Sequence, residues 1–119
     1  MSTRLHTGKV YQIEYTPCGQ GMFGSDGQEA LYNILSMFDI NNTASDEFAE
    51  DYEISRKELK RLRTIITEEG AEYQNCEEGF KKALDNARIT KADFIDVLDQ
   101  LIEKSDQRNP FVLISWIHA

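Results

Sequence analysis

The sequence predicts an α+β fold: a small sheet of two or three strands packed against about four helices, in the order β-α-β-α-α-α-β. Three observations predict it. A stretch near the N-terminus alternates apolar and polar residues, a run near the C-terminus is almost wholly apolar, and the residues between them repeat their apolar positions every three to four residues. The 119 residues are expected to form one globular domain spanning 1–119, large enough to bury a core without disulfide or metal staples.

Lys9-Val10-Tyr11-Gln12-Ile13-Glu14-Tyr15 reads as a half-buried strand ended by Thr16-Pro17. The first helix is expected from Ser25 or Asp26 to about Asp39. Ser25 and Gln28 stand at capping-box spacing, and Leu31, Ile34, Leu35 and Phe38 share one face. After the polar loop Asn41-Asn42-Thr43-Ala44-Ser45, Asp51-Tyr52-Glu53-Ile54 reads as a short second strand. Ser55 and Glu58 then repeat the capping-box spacing ahead of Leu59, Leu62, Ile65 and Ile66. A helix over 56–69 follows, with Gly70 suited to close it.

A third helix is expected after Asn75, with Phe80, Ala83, Leu84 and Ala87 turned inward. Its acidic residues, Glu77 and Glu78, precede Lys81 and Lys82, the order that the helix dipole favours. Thr90 and Asp93 form the capping-box pair of a fourth helix, whose stripe is Phe94, Val97, Leu98, Leu101 and Ile102. Beyond the exit loop from Ser105 to Pro110 comes Phe111-Val112-Leu113-Ile114-Ser115-Trp116-Ile117, where only Ser115 is polar. Such a strand requires cover on both faces. It is therefore a central strand or a subunit interface, with Phe111, Leu113 and Trp116 as the interface candidates.

Charge narrows the functional classes. A formal charge of −8 argues against a nucleic-acid backbone as the direct ligand, because phosphates need a basic surface. The charge is also segregated. Asp39, Asp46, Glu47, Glu50, Asp51 and Glu53 form an acidic segment that runs straight into the basic residues Arg56, Lys57, Lys60, Arg61 and Arg63. That basic face is expected to offset the chain's own acids or to meet solvent, and an anionic partner is the sharper alternative. Asp93, Asp96, Asp99 and Glu103 on one side of the fourth helix read as a solvated stripe. The absence of HExxH and EF-hand patterns gives no support to a metal site, and no cofactor is expected. The sequence contains no secretory leader or spanning apolar run, so the default compartment is the cytoplasm and no membrane partner is expected.

Two features suggest sharper chemistry. The stretch Cys18-Gly19-Gln20-Gly21-Met22-Phe23-Gly24 contains a Gly-x-Gly-x-x-Gly pattern before a helix, which makes Gly19, Gly21 and Gly24 candidates for anion or nucleotide binding. No strand with an acidic terminal residue follows that helix, and no Lys-Ser/Thr pair ends the loop. The favoured reading is a tight connection in which glycines supply positive φ and close approach, with Met22 and Phe23 against the core edge or at the tip of a partner-binding loop. Cys18 precedes a helix N-terminus, where a thiolate would be stabilised, and His118 would serve as its base if the terminal strands were parallel neighbours. An antiparallel pairing would bring His118 towards His6 instead. Cys18 and Cys76 are too few for a disulfide framework.

The reading that these features favour is a non-enzymatic protein-interaction or regulatory module, acting through a protein partner or self-association. One version is an acidic mimic of nucleic-acid charge, which the basic second helix weakens. The alternatives are a small enzyme using Cys18 with His118 and an anion-binding domain using the glycine loop.

Overall fold

The computed structural model describes residues 3–9, 14–17, 22 and 24–118. Its strands are β1 (Thr3–Lys9), β2 (Glu14–Pro17), β3 (Asp51–Ser55) and β4 (Phe111–His118). The helices are α1 (Gly24–Met37), α2 (Arg56–Glu68), α3 (Ala71–Ala87) and α4 (Lys91–Lys104). The fold is α+β with strands from both ends of the chain in one antiparallel sheet, ordered β2-β1-β4-β3. The strand expected over 9–15 is replaced by a pair, β1 ending at Lys9 and β2 beginning at Glu14, with Lys9 opposite Glu14. The intervening residues 10–13 lie outside the described set.

One face of the sheet supplies the core. Leu5 of β1, Tyr52 and Ile54 of β3, and Val112, Ile114 and Trp116 of β4 are all at most 5% exposed, and they join the apolar stripes of the four helices in one cluster. Register explains the agreement. Leu5 stands opposite Trp116, Tyr52 opposite Ile114, and Ile54 opposite Val112, so the period-2 alternation of each strand delivers its apolar residues to the same side. Aromatic rings organise the helical layer. Phe80 of α3 meets Phe38, Tyr73 and Phe94 edge-on, with ring centroids 5.9, 5.7 and 5.6 Å apart.

Helix ends differ from expectation in instructive ways. The Thr90–Asp93 capping box forms as predicted: the Asp93 N–H donates to Thr90 Oγ1 at 3.1 Å, and the Thr90 N–H donates to the Asp93 carboxylate at 3.2 Å. The Ser55–Glu58 box does not form, because Ser55 is still the last residue of β3, paired with Phe111, and Glu58 accepts from Arg61 Nε at 2.7 Å. Nor does Gly70 close α2. Glu69 takes the left-handed position with φ 51°, and Gly70 becomes the N-cap of α3, which therefore begins at Ala71 rather than after Asn75.

Arg56 ties the helical layer to the sheet. It is the first residue of α2, immediately after β3, and its guanidinium reaches the far end of α4. It donates to Ile102 O at 2.6 Å, Ser105 Oγ at 2.8 Å, Asp106 O at 2.7 Å and Asn109 O at 3.2 Å. One side chain thus binds a carbonyl in the last turn of α4 and two in the loop beyond it, while Gln107 Nε2 donates to Ile102 O and Glu103 O at the same helix end.

Tyr52 gives the core a titratable reporter. Its hydroxyl accepts from Trp116 Nε1 at 3.1 Å, and burial pushes its pKa up from 10.0 to about 12. The unfolded chain therefore gives up this proton first as pH rises. The contribution of Tyr52 is intact below about pH 10 and is lost between about pH 10 and 12, by roughly 2–3 kcal/mol. Denaturant unfolding at about pH 9 and about pH 11.5 should show a smaller fall for Tyr52→Phe than for the wild type. Equal falls would show that the phenol ionises alike in both states.

Candidate interaction surface

The alternation that feeds the core leaves a second, outer face on the sheet. On β4 it carries Phe111, 47% exposed, then half-buried Leu113, then Ser115 at 1%. Beside them on β3 stand the exposed Asp51 and Glu53. Of the two arrangements expected for the apolar run, the central strand is realised, since β1 and β3 flank β4 on its two sides. The helices pack on the core face, to which Val112, Ile114 and Trp116 belong. Trp116, expected with Phe111 and Leu113 at an interface, is thus a core residue, 2% exposed and hydrogen-bonded to Tyr52.

A polar row crosses the outer face above the apolar residues. His6 of β1 lies opposite Ser115, which in turn lies opposite Asp51 of β3. Ser115 Oγ donates to Asp51 Oδ1 at 2.7 Å. The residue types are those of a hydrolase triad, but the order differs. A triad places histidine between serine and carboxylate so that the imidazole takes the hydroxyl proton. Here serine is central and gives its hydrogen bond to the carboxylate, so the row is built to clip β3 to β4.

At the Phe111 end, the outer face meets the start of α2. Ser55, the cross-strand partner of Phe111, lines an open cavity of about 460 Å³ together with Asn41, Lys57, Lys60, Arg61 and Thr64. The basic run of α2 divides by role here. Arg56 clasps α4, Arg61 holds Glu58, Glu72 and the carbonyls of Phe38 and Asp39, and Arg63 pairs with Asp99. Lys57 and Lys60 are exposed and make no ion pair among the described residues. The cavity's carboxylate, Glu58, is already engaged by Arg61 at 2.7 Å. The surface therefore combines an exposed aromatic ring with two uncompensated ammonium groups.

The opposite end of β3 has the converse character. Phe48, 49% exposed, sits in the acidic segment between Glu47 and Glu50, within a turn closed by its N–H donating to Asp46 Oδ1 at 2.8 Å. The free edge of β3 is shielded by the preceding loop: the Thr43 N–H donates to Glu53 O at 3.0 Å, and the Glu53 N–H donates to Thr43 Oγ1 at 2.8 Å.

The glycine loop and the cysteine candidates lie largely elsewhere. Cys18, Gly19, Gly21 and Phe23 are outside the described residues. Met22 is 1% exposed, a core side chain rather than the tip of a partner-binding loop. Gly24 opens α1 with φ +68°, and a Cβ on Gly27 would lie 3.2 Å from the Met22 carbonyl carbon, so both glycines have backbone reasons to be there. β1 and β4 are antiparallel, with His118 opposite Thr3. β2, which ends at Pro17 just before Cys18, runs in the direction of β4, but β1 lies between them. Pro17 is level with Ser115, both standing opposite His6, so His118 lies two strands across, about 4.8 Å each, and three residues further along, roughly 10 Å. Cys76 is half-buried, and its thiol donates to Met37 O at 3.3 Å.

Among the described residues, no group of three His, Cys, Asp or Glu side chains is placed to hold a metal, and no helix is long and apolar enough to cross a membrane. Comparison with family models, curated proteins and solved structures found no match to this chain.

Proposed function

We propose that the chain is a non-enzymatic protein-interaction module that docks through the outer face of its sheet and the adjoining start of α2. The observation that carries this reading is Phe111, 47% exposed on the central strand beside half-buried Leu113. A large aromatic ring that a fold leaves in water at such a position contributes nothing to the core, and at an interface it supplies contact area at low entropic cost. Lys57 and Lys60, which line the cavity that also includes Ser55, the cross-strand partner of Phe111, add charge that steers and orients a partner more than it binds one.

The test is affinity capture from the native host with the wild type and with Phe111→Asp. A protein retained by the first and lost by the second, with both chains equally folded by thermal melting, is the expected result. Equal recovery of every protein by both chains would overturn the reading.

A further inference from the structure

We infer that the partner of this surface is a second copy of the chain, which presents its Phe48 turn to the Phe111 end of its neighbour. The inference rests on the docking surface proposed above and names its occupant. Among the residues whose side chains are described, two large apolar ones are exposed, Phe48 at 49% and Phe111 at 47%. Their surroundings differ in charge: the Phe48 turn is wholly acidic, whereas the Phe111 end sets two lysines beside Glu53. Phe48 is set among Asp46, Glu47, Glu50 and Asp51, whereas Phe111 borders, through Ser55, the cavity edged by Lys57 and Lys60. The patches complement each other: ring can meet ring, and carboxylates can meet two ammonium groups that make no ion pair among the described residues.

The two patches cannot meet within one molecule. β3 runs between them from Asp51 to Ser55, a rigid separation on the order of 15 Å. The contact is therefore between copies, and because two different surfaces meet it is head-to-tail, closing into a ring or continuing as a chain. The charge of −8 on each copy opposes approach at long range and keeps the association weak. At about 0.1 M salt, screening beyond roughly 10 Å removes most of that repulsion and leaves contact pairs in place.

The head-to-tail geometry gives a test that other dimers fail. Lys57→Glu with Lys60→Glu disables one surface, and Phe48→Lys disables the other. All three positions are exposed, so both variants should melt with the wild type. By sedimentation at about 0.1 M salt, the mean mass of the wild type should rise with concentration, each variant alone should stay monomeric, and an equimolar mixture should form a species of two chains and nothing larger. A wild type that is monomeric at every concentration, variants that associate as the wild type does, or a mixture that stays monomeric would each overturn the inference. If the wild type is monomeric yet captures a protein that Phe111→Asp loses, only the identity of the partner fails. If it does neither, the docking surface fails with it.

Discussion

Phe80→Ala should lower the free energy of unfolding by roughly 3–5 kcal/mol, the largest effect expected of any single truncation in the chain. Phe80 is 0% exposed and makes edge contacts with Phe38, Tyr73 and Phe94, rings supplied by the segment after α1, by α3 and by α4. Removing it takes away the shared neighbour of three rings that cannot all move inward, so a cavity persists and the loss exceeds simple transfer of the side chain. A domain of this size is stable by about 5–15 kcal/mol, which makes this a large fraction of the whole. Phe80→Leu, which keeps most of the volume, should lose distinctly less. Urea unfolding of both variants is the check, and a loss below about 1 kcal/mol for the alanine variant would mean that the helices close over the gap.

Arg56→Met should lose roughly 2–4 kcal/mol, although the residue is only partly buried. Methionine keeps the length of the stem and removes four donated bonds at once, to Ile102, Ser105, Asp106 and Asn109. Burial draws the Arg56 pKa down while Asp106 opposes that shift, and the group remains charged at any working pH. Arg56→Lys separates charge from shape. An ammonium cannot span acceptors on both sides of the α4 terminus, so lysine should recover less than half of the loss. Full recovery by lysine would assign the stabilisation to charge alone. Amide exchange over 102–110 gives a second readout, because the exit loop should lose protection before the rest of the fold.

The helices were legible from the sequence because each carries an apolar stripe long enough to establish its period. The N-terminal hairpin was not. β1 turns Thr3, Leu5 and Thr7 towards the core, and two of those three are hydroxyl residues that a hydrophobic alternation does not count, although Thr7 is 0% exposed. The start of α3 was missed for a related reason: Tyr73, at 1% exposure, is a single core contact ahead of the acidic first turn that had been expected after Asn75.

The outer surface was half legible. Six apolar residues in a run of seven declare a strand with two demanding faces, but they conceal which parity faces the helices. Trp116 and Phe111 consequently looked equivalent until register separated them, one into the core and one into water. The division of labour in the basic run was hidden altogether. The partner of Arg63 is 36 residues away and those of Arg56 are 46 to 53 away, separations at which no local spacing rule operates.

The place of β4 in the sheet also bears on how the chain reaches its fold. β1 and β3 are not neighbours in the described sheet; each pairs with β4, which follows both in the chain. Until those residues emerge, four helices can form locally, but the sheet side of their core lacks Val112, Ile114 and Trp116 and the strand that joins β1 to β3. Joining β1 to β4 also means closing a loop of nearly the whole chain, the kind of long-range contact that slows folding. During synthesis the helical segments must therefore hold an unfinished core, and commitment to the native state waits for β4 to slide between two strands made before it.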